Sequence, residues 1–287
     1  MSKLTQPPDP NPRKPKLALP AGACDCHFHL FGPAAQYPFD PNSTYTSADA
    51  LPETLFALQD VLGLERGVVV SGGGYGRNTK HLEDTLRRFP RRLRGIALPP
   101  ENLSLEDVRR MDALGVRGIR FVSPKRRAGL PTLSPELAQR AWDGAGWQVH
   151  FYPGDDLAEL APQLLALPNS IVLDHFGGVK AADGVDQPAF RAMLKMLESG
   201  RVWVKLSGPM RCDPGDFPYA PVIPLARALA KHAPERLVWG SDWPHVNMNG
   251  RAMPNDGDLV DLLGEWVQDE GVRRKIMVDN PAELFGF

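Results

Sequence analysis

The sequence predicts a single α/β domain, a closed parallel (β/α)8 TIM barrel over residues 22–287, on three observations. Short apolar runs alternate with amphipathic stretches eight times, no linker-like break interrupts them, and the 287 residues accommodate a barrel of about 250. A doubly wound sheet is the runner-up, but it usually needs fewer strands or an antiparallel extension.

The strand candidates are, in order, 23–31, 67–71, 93–98, 116–122, 148–152, 170–175, 202–207 and 237–242. Helix signals lie between them. Ser104 caps a stretch in which Val108, Met111 and Leu114 recur at three-residue spacing until Gly115 closes it. Ser134 followed by Pro135 starts another helix, and Phe190, Met193, Leu194 and Leu197 form an apolar stripe ended by Gly200. Residues 32–51, rich in proline, tyrosine and asparagine, are long for a βα connection and read as a lid. Residues 1–21 carry several prolines and no apolar run, and read as a flexible N-terminal tail rather than a signal peptide.

With 43% hydrophobic residues and a net charge of −1, the chain can bury a large core and shows no run of one sign. Wholesale nucleic-acid binding and membrane association are therefore not expected. Three cysteines make no disulfide framework, which fits a reducing, cytoplasmic setting. Composition leaves the oligomeric state open.

Barrel active sites are built from the carboxyl ends of strands. Strand 1 carries His27 and His29, two residues apart, so both project to one face with Asp25 one step deeper. By the same parity Cys24 and Cys26 face the helix ring as small packers. Strand 4 ends in Arg120, with Arg126 six residues on, while the neighbouring Arg127 reads as a solvated charge. Strand 5 carries His150 and Tyr152, strand 6 ends in Asp174-His175, and Arg211 follows strand 7. Strand 8 ends in Asp242, with His245 and Asn247 close behind. Each residue alone is a weak signal. Their concurrence at ends that should converge points to catalysis.

The segments DCHFHLFGP (25–33), GVRGIRF (115–121), DHFG (174–177) and GSDWPHVN (240–247) resemble the amidohydrolase superfamily (amidohydrolase family 2), and within it the 2-pyrone-4,6-dicarboxylate lactonase group. The resemblance implies that Asp242 is the general base activating water and that His27, His29 and His175 polarise the lactone carbonyl. It implies that Arg120, Arg126 and Arg211 hold substrate carboxylate. Tyr45, Tyr75 and Tyr152 would border the substrate, with His245 and Asn247 nearby. The implied reaction is hydrolysis of a small anionic carboxylated lactone, resembling 2-pyrone-4,6-dicarboxylate, in catabolism of aromatic or related carboxylic acids. Two departures stand out. Gly178 occupies a place where that group would carry an arginine, and the loop Ser71 to Gly76 is stripped of polar side chains, which implies a roomier pocket.

The lactonase group works without metal, and metal-independent hydrolysis is the favoured reading. A mononuclear Zn²⁺, if bound, would fall to His27, His29, His150, His175 and Asp242, while the absence of a lysine or glutamate on strand 4 speaks against a binuclear site. The alternatives are a metal-dependent decarboxylase of an aromatic or enol carboxylate and a sugar-acid lactone hydrolase or isomerase. A non-enzymatic carboxylate-binding barrel is disfavoured, because a binder gains nothing from an aspartate facing its anionic ligand.

Overall fold

The computed structural model describes residues 3–126 and 129–287, so Arg127 lies outside the described residues. Eight parallel strands follow one another around a barrel in sequence order: β1 Cys24–Phe28, β2 Arg66–Val70, β3 Leu93–Ala97, β4 Val116–Val122, β5 Gln148–Tyr152, β6 Ile171–Leu173, β7 Val202–Ser207 and β8 Leu237–Gly240. The circle closes where Asp242 N–H donates to His27 O at 2.8 Å and His29 N–H donates to Trp243 O at 2.8 Å. Helices α1 (Pro52–Leu62), α2 (Lys80–Arg88), α3 (Leu105–Leu114), α4 (Pro135–Ala145), α5 (Leu157–Leu165), α6 (Pro188–Leu197), α7 (Val222–His232) and α8 (Asp256–Trp266) form the outer ring.

The local chemistry accounts for their ends. Ser104 and Asp107 form a reciprocal capping box at the start of α3, and Gly115 takes the left-handed conformation that stops it. Ser134 caps α4 by accepting from Leu137 N–H, with Pro135 in the first turn, where its missing N–H costs nothing.

Strand 1 departs from simple alternation. Asp25 aligns with Gly67 and Phe28 with Val69, so Cys26 and His27 together oppose Val68 in a β-bulge. The bulge corrects two parity expectations. Cys24 and Cys26 do not face the helices: they pack with Val68, Ile96, Val172, Trp203 and Val238 in a cluster that Leu284 and Phe285 close from below. Asp25 does not sit beneath the histidines. It instead accepts from Ser241 N–H, Ser241 Oγ and His27 N–H, which ties β1 to the end of β8.

The described residues of the segment before the barrel lie along its outside. Leu17 N–H donates to Asp261, Arg13 N–H to Asn255, and Asn255 Nδ2 to Asp9. Further on, Lys3–Leu4 pairs in parallel with Tyr45–Thr46 of the 32–51 loop. Among the described residues no helix is long and apolar enough to cross a membrane.

Candidate active site

The carboxyl ends of the strands surround a cavity of about 190 Å³, lined by His29, Arg120, Arg126, Tyr152, His175, Arg211, Asp242 and Asn247 among others. At its base three imidazoles converge on one carboxylate oxygen. The Nε2 atoms of His27, His29 and His175 stand 3.8, 3.7 and 3.7 Å from Asp242 Oδ1. The second oxygen, Oδ2, accepts from Arg211 Nε at 2.7 Å. Burial alone would raise the Asp242 carboxyl, but Arg211 and the three histidines overcome it and hold the group well below the usual carboxylate range. Burial keeps His29 at about 4 and His175 at about 3, against the upward pull of Asp242, so both are neutral near pH 7.

Backbone strain concentrates here. His175, Phe176, Asp242, His245 and Asn247 all have φ between 50° and 66°, a region that residues with a Cβ seldom enter and that clusters at functional sites. The turn after β6 throws His175 over the barrel mouth, where its Nδ1 meets Ser207 Oγ at 3.0 Å.

A second layer of charge lies below. Asp174, completely buried, accepts from Arg120 Nε at 2.7 Å on Oδ2, and its Oδ1 stands 3.1 Å from Lys205 Nζ. Against the cost of burial, these two cations hold the Asp174 carboxyl well below its usual value. Lys205 escaped the sequence reading, although it is the lone charge in the strand VWVKLS and shares parity with Ser207 at the site. That parity was the available signal.

The arginines form one wall. Arg126 lies 4.9 Å and Arg120 5.8 Å from the Tyr152 ring centre, and His175 meets the ring edge-on at 4.9 Å. Arg126 also donates to Gly178 O and Pro153 O. The arginine missing at 178 has a structural reason. Gly178 has φ +65°, and a Cβ there would collide with Pro153 O and come within 2.9 Å of Arg126 Nη2. The Arg126 guanidinium thus occupies space that a side chain at 178 would need.

Other anticipated residues lie elsewhere. Tyr45 and Tyr75 sit outside the lining of this cavity: Tyr45 accepts from Gly74 N–H, and Tyr75 accepts from Gly32 N–H at 2.7 Å while stacking on Phe39 and His81. His245 is buried with Nε2 3.1 Å from Asp256 Oδ1, fastening the loop after β8 to α8. His150 lies a layer lower, its Nε2 3.0 Å from Gln148 Oε1. Nor does the glycine loop open extra room, because a Cβ on Gly72 or Gly74 would meet the Phe31 or Phe39 ring at 2.7 or 2.5 Å. Those aromatics fill the space.

Among the described residues, ligand atoms of His27, His175 and Asp242 lie within 4.8 Å of one another, a spacing that suits one metal ion. The electrostatics do not suit it. The cavity lining already carries three arginines against one aspartate, and Lys205 Nζ stands 3.2 Å from His27 Nδ1.

The closed barrel with its His/Asp/Arg mouth defines a (β/α)8 protein with a polar site at the carboxyl ends of its strands. The family model for amidohydrolases matches residues 24–287, and the chain belongs to that family. It is 39% identical over 280 residues to a 4-sulfomuconolactone hydrolase of Rhizobium radiobacter, covering 94% of this chain and 92% of the relative. It is 37% identical over 287 residues to a 2-pyrone-4,6-dicarboxylate hydrolase of Comamonas testosteroni, covering 96% and 93%. Among solved structures it is similar to a probable 2-pyrone-4,6-dicarboxylic acid hydrolase of Acinetobacter baumannii with citric acid bound (TM-score 0.79, 25% identity, 93% of this chain and 100% of that one).

Proposed function

We propose that this protein opens the ring of a small dianionic lactone by attack of water activated by Asp242, without a metal ion. The observation that carries the reading is the convergence of three imidazoles on Asp242 Oδ1 beneath an arginine wall. With the histidines neutral, three arginines and one aspartate give the cavity lining a charge of +2, which matches two anionic groups on the substrate. The relatives' names describe such molecules, one with two carboxylates and one with a sulfo group.

In this mechanism Asp242 takes a proton from water, whose oxygen bonds to the lactone carbonyl carbon. Imidazole N–H groups stabilise the oxyanion of the tetrahedral intermediate. Its collapse breaks the ring C–O bond, and the proton held by Asp242 passes to the departing oxygen. Arg120, Arg126 and Arg211 fix the ring by its anionic substituents, which supplies orientation. The same positive lining opposes a dication, which supports the metal-free reading. The test is hydrolysis of 2-pyrone-4,6-dicarboxylate and 4-sulfomuconolactone by chelator-treated protein of measured metal content. Turnover by metal-free protein supports the proposal. Activity lost with the chelator and restored by zinc overturns its metal-free part, and no turnover of any anionic lactone overturns the whole.

A further inference from the structure

Lys205 has no part in the chemistry above, yet it is completely buried and its Nζ meets His27 Nδ1 at 3.2 Å in hydrogen-bonding geometry. Burial lowers the Lys205 ammonium from its ordinary value, and the ion pair with Asp174 Oδ1, at 3.1 Å, opposes that loss and favours the charged form. An ammonium only donates, so a ring nitrogen that receives its hydrogen bond carries no proton, and the neutral imidazole keeps its proton on Nε2. His29 is constrained the other way. Its Nδ1 lies 2.8 Å from Val70 O, a group that only accepts, so the proton sits on Nδ1 and Nε2 is bare. The two Nε2 atoms stand 3.8 and 3.7 Å from Asp242 Oδ1, that of His27 carrying a proton and that of His29 bare.

We propose that Lys205 is a positioning residue that fixes His27 in its Nε2–H tautomer, making His27 a donor to the substrate carbonyl oxygen and closing its Nε2 to metal. His29, with a bare Nε2, then accepts a hydrogen bond from the attacking water beside Asp242. The two histidines of one strand divide the labour that equivalent polarising roles would give them both. Metal-binding imidazoles characteristically donate their other N–H to a carboxylate or carbonyl. His27 has such an acceptor in reach, Asp174 Oδ1 at 3.3 Å, but that oxygen is paired with Lys205 and its partner oxygen with Arg120. Removing the ammonium frees Asp174 to take the Nδ1 proton, which would convert His27 into a metal ligand backed by a carboxylate.

The catalytic consequence rests on the lactone-opening reading, whereas tautomer and metal uptake are read without substrate. The experiment is two-bond ¹⁵N–¹H NMR on histidine-labelled protein, with His27→Gln to assign the signal, alongside zinc titration in a metal buffer. The wild type should show His27 as Nε2–H. In Lys205→Met the proton should move to Nδ1, and zinc should bind tenfold or more tightly. An Nδ1–H signal for His27 in the wild type overturns the proposal, as does a tautomer unchanged in Lys205→Met. If that variant does not fold, the wild-type spectrum alone decides. A failure of the lactonase reading would appear separately, as absent turnover with the predicted tautomer in place.

Discussion

Replacing Asp242 with asparagine isolates the base from everything else the residue does. Asparagine has nearly the same shape and tolerates the left-handed backbone that position 242 adopts at φ +66°. Its amide oxygen can still accept from Arg211 Nε, now 2.7 Å from Oδ2, so the arginine wall keeps its anchor. What disappears is the group that removes a proton from water. A positioned general base contributes roughly 10²–10⁴-fold, equivalent to about 3–5 kcal/mol of barrier. The expected result is a fall in kcat of that size for Asp242→Asn, with the binding constant of a non-hydrolysed dicarboxylate changed by less than about tenfold. Ring opening followed by ultraviolet absorbance gives the first quantity, and calorimetry the second. A kcat within tenfold of wild type would refute the assignment of the base. A large loss of affinity with kcat intact would show that Asp242 serves binding instead.

Two further outcomes follow from the buried groups. Burial holds His29 and His81 at about 4 and His150 and His175 at about 3, and lowers His27 as well, against about 6.5 in the unfolded chain. As pH falls below 6.5 the unfolded state takes up protons that the folded state refuses, so stability drops by up to about 1.4 kcal/mol per pH unit for each histidine. Asp25, pushed up to about 7 by burial, works in the opposite sense between pH 7 and 4 and offsets one of the five. The urea midpoint should therefore fall steeply between pH 6 and 5, and a flat midpoint would contradict the neutral, buried assignment. Gly178→Ala should cost about 2–3 kcal/mol, because the new Cβ combines a left-handed backbone with a collision at Pro153 O. Calorimetry should show Tm lowered by several degrees with KM raised through displaced Arg126, and an unchanged Tm would mean that the loop yields freely.

The barrel was legible because its strands carry their own punctuation. The limits of β4, β5 and β7 match the sequence reading to the residue, each being a short run rich in β-branched and aromatic residues between turn signals. Strand 1 shows where periodicity stops informing. Alternation brought His27 and His29 together, but it placed Asp25 with them and turned the cysteines outward. A bulge inserts a residue without leaving a mark in composition, and it reversed both placements. Proximity to strand ends found His175, Arg211, Asp242 and Asn247, whose strands or short turns fix them at the mouth. It also pointed to His245, which the loop after β8 folds back onto α8, while Tyr75, placed at the substrate by the resemblance alone, accepts from Gly32 N–H outside the cavity lining. Lys205 was overlooked for a different reason: a lysine inside an apolar strand invites dismissal as an exception, when burial beside Asp174 makes it part of the site.

Arg211 joins substrate recognition to the strength of the base. It lines the cavity, and its Nε is spent on Asp242 Oδ2, which helps hold that carboxylate well below its usual range. A carboxylate so stabilised is a poor acceptor for a proton from water. When an anionic substituent of the substrate engages the terminal nitrogens of the same guanidinium, part of that positive charge is neutralised and the hold on Asp242 relaxes. The base then strengthens with substrate bound, so binding energy at a remote anion is expressed in the chemical step. A lactone of the same ring with the anion at Arg211 replaced by a neutral amide should therefore lose kcat as well as affinity. If it only raised KM, Arg211 would be a clamp and nothing more, and the coupling would be absent.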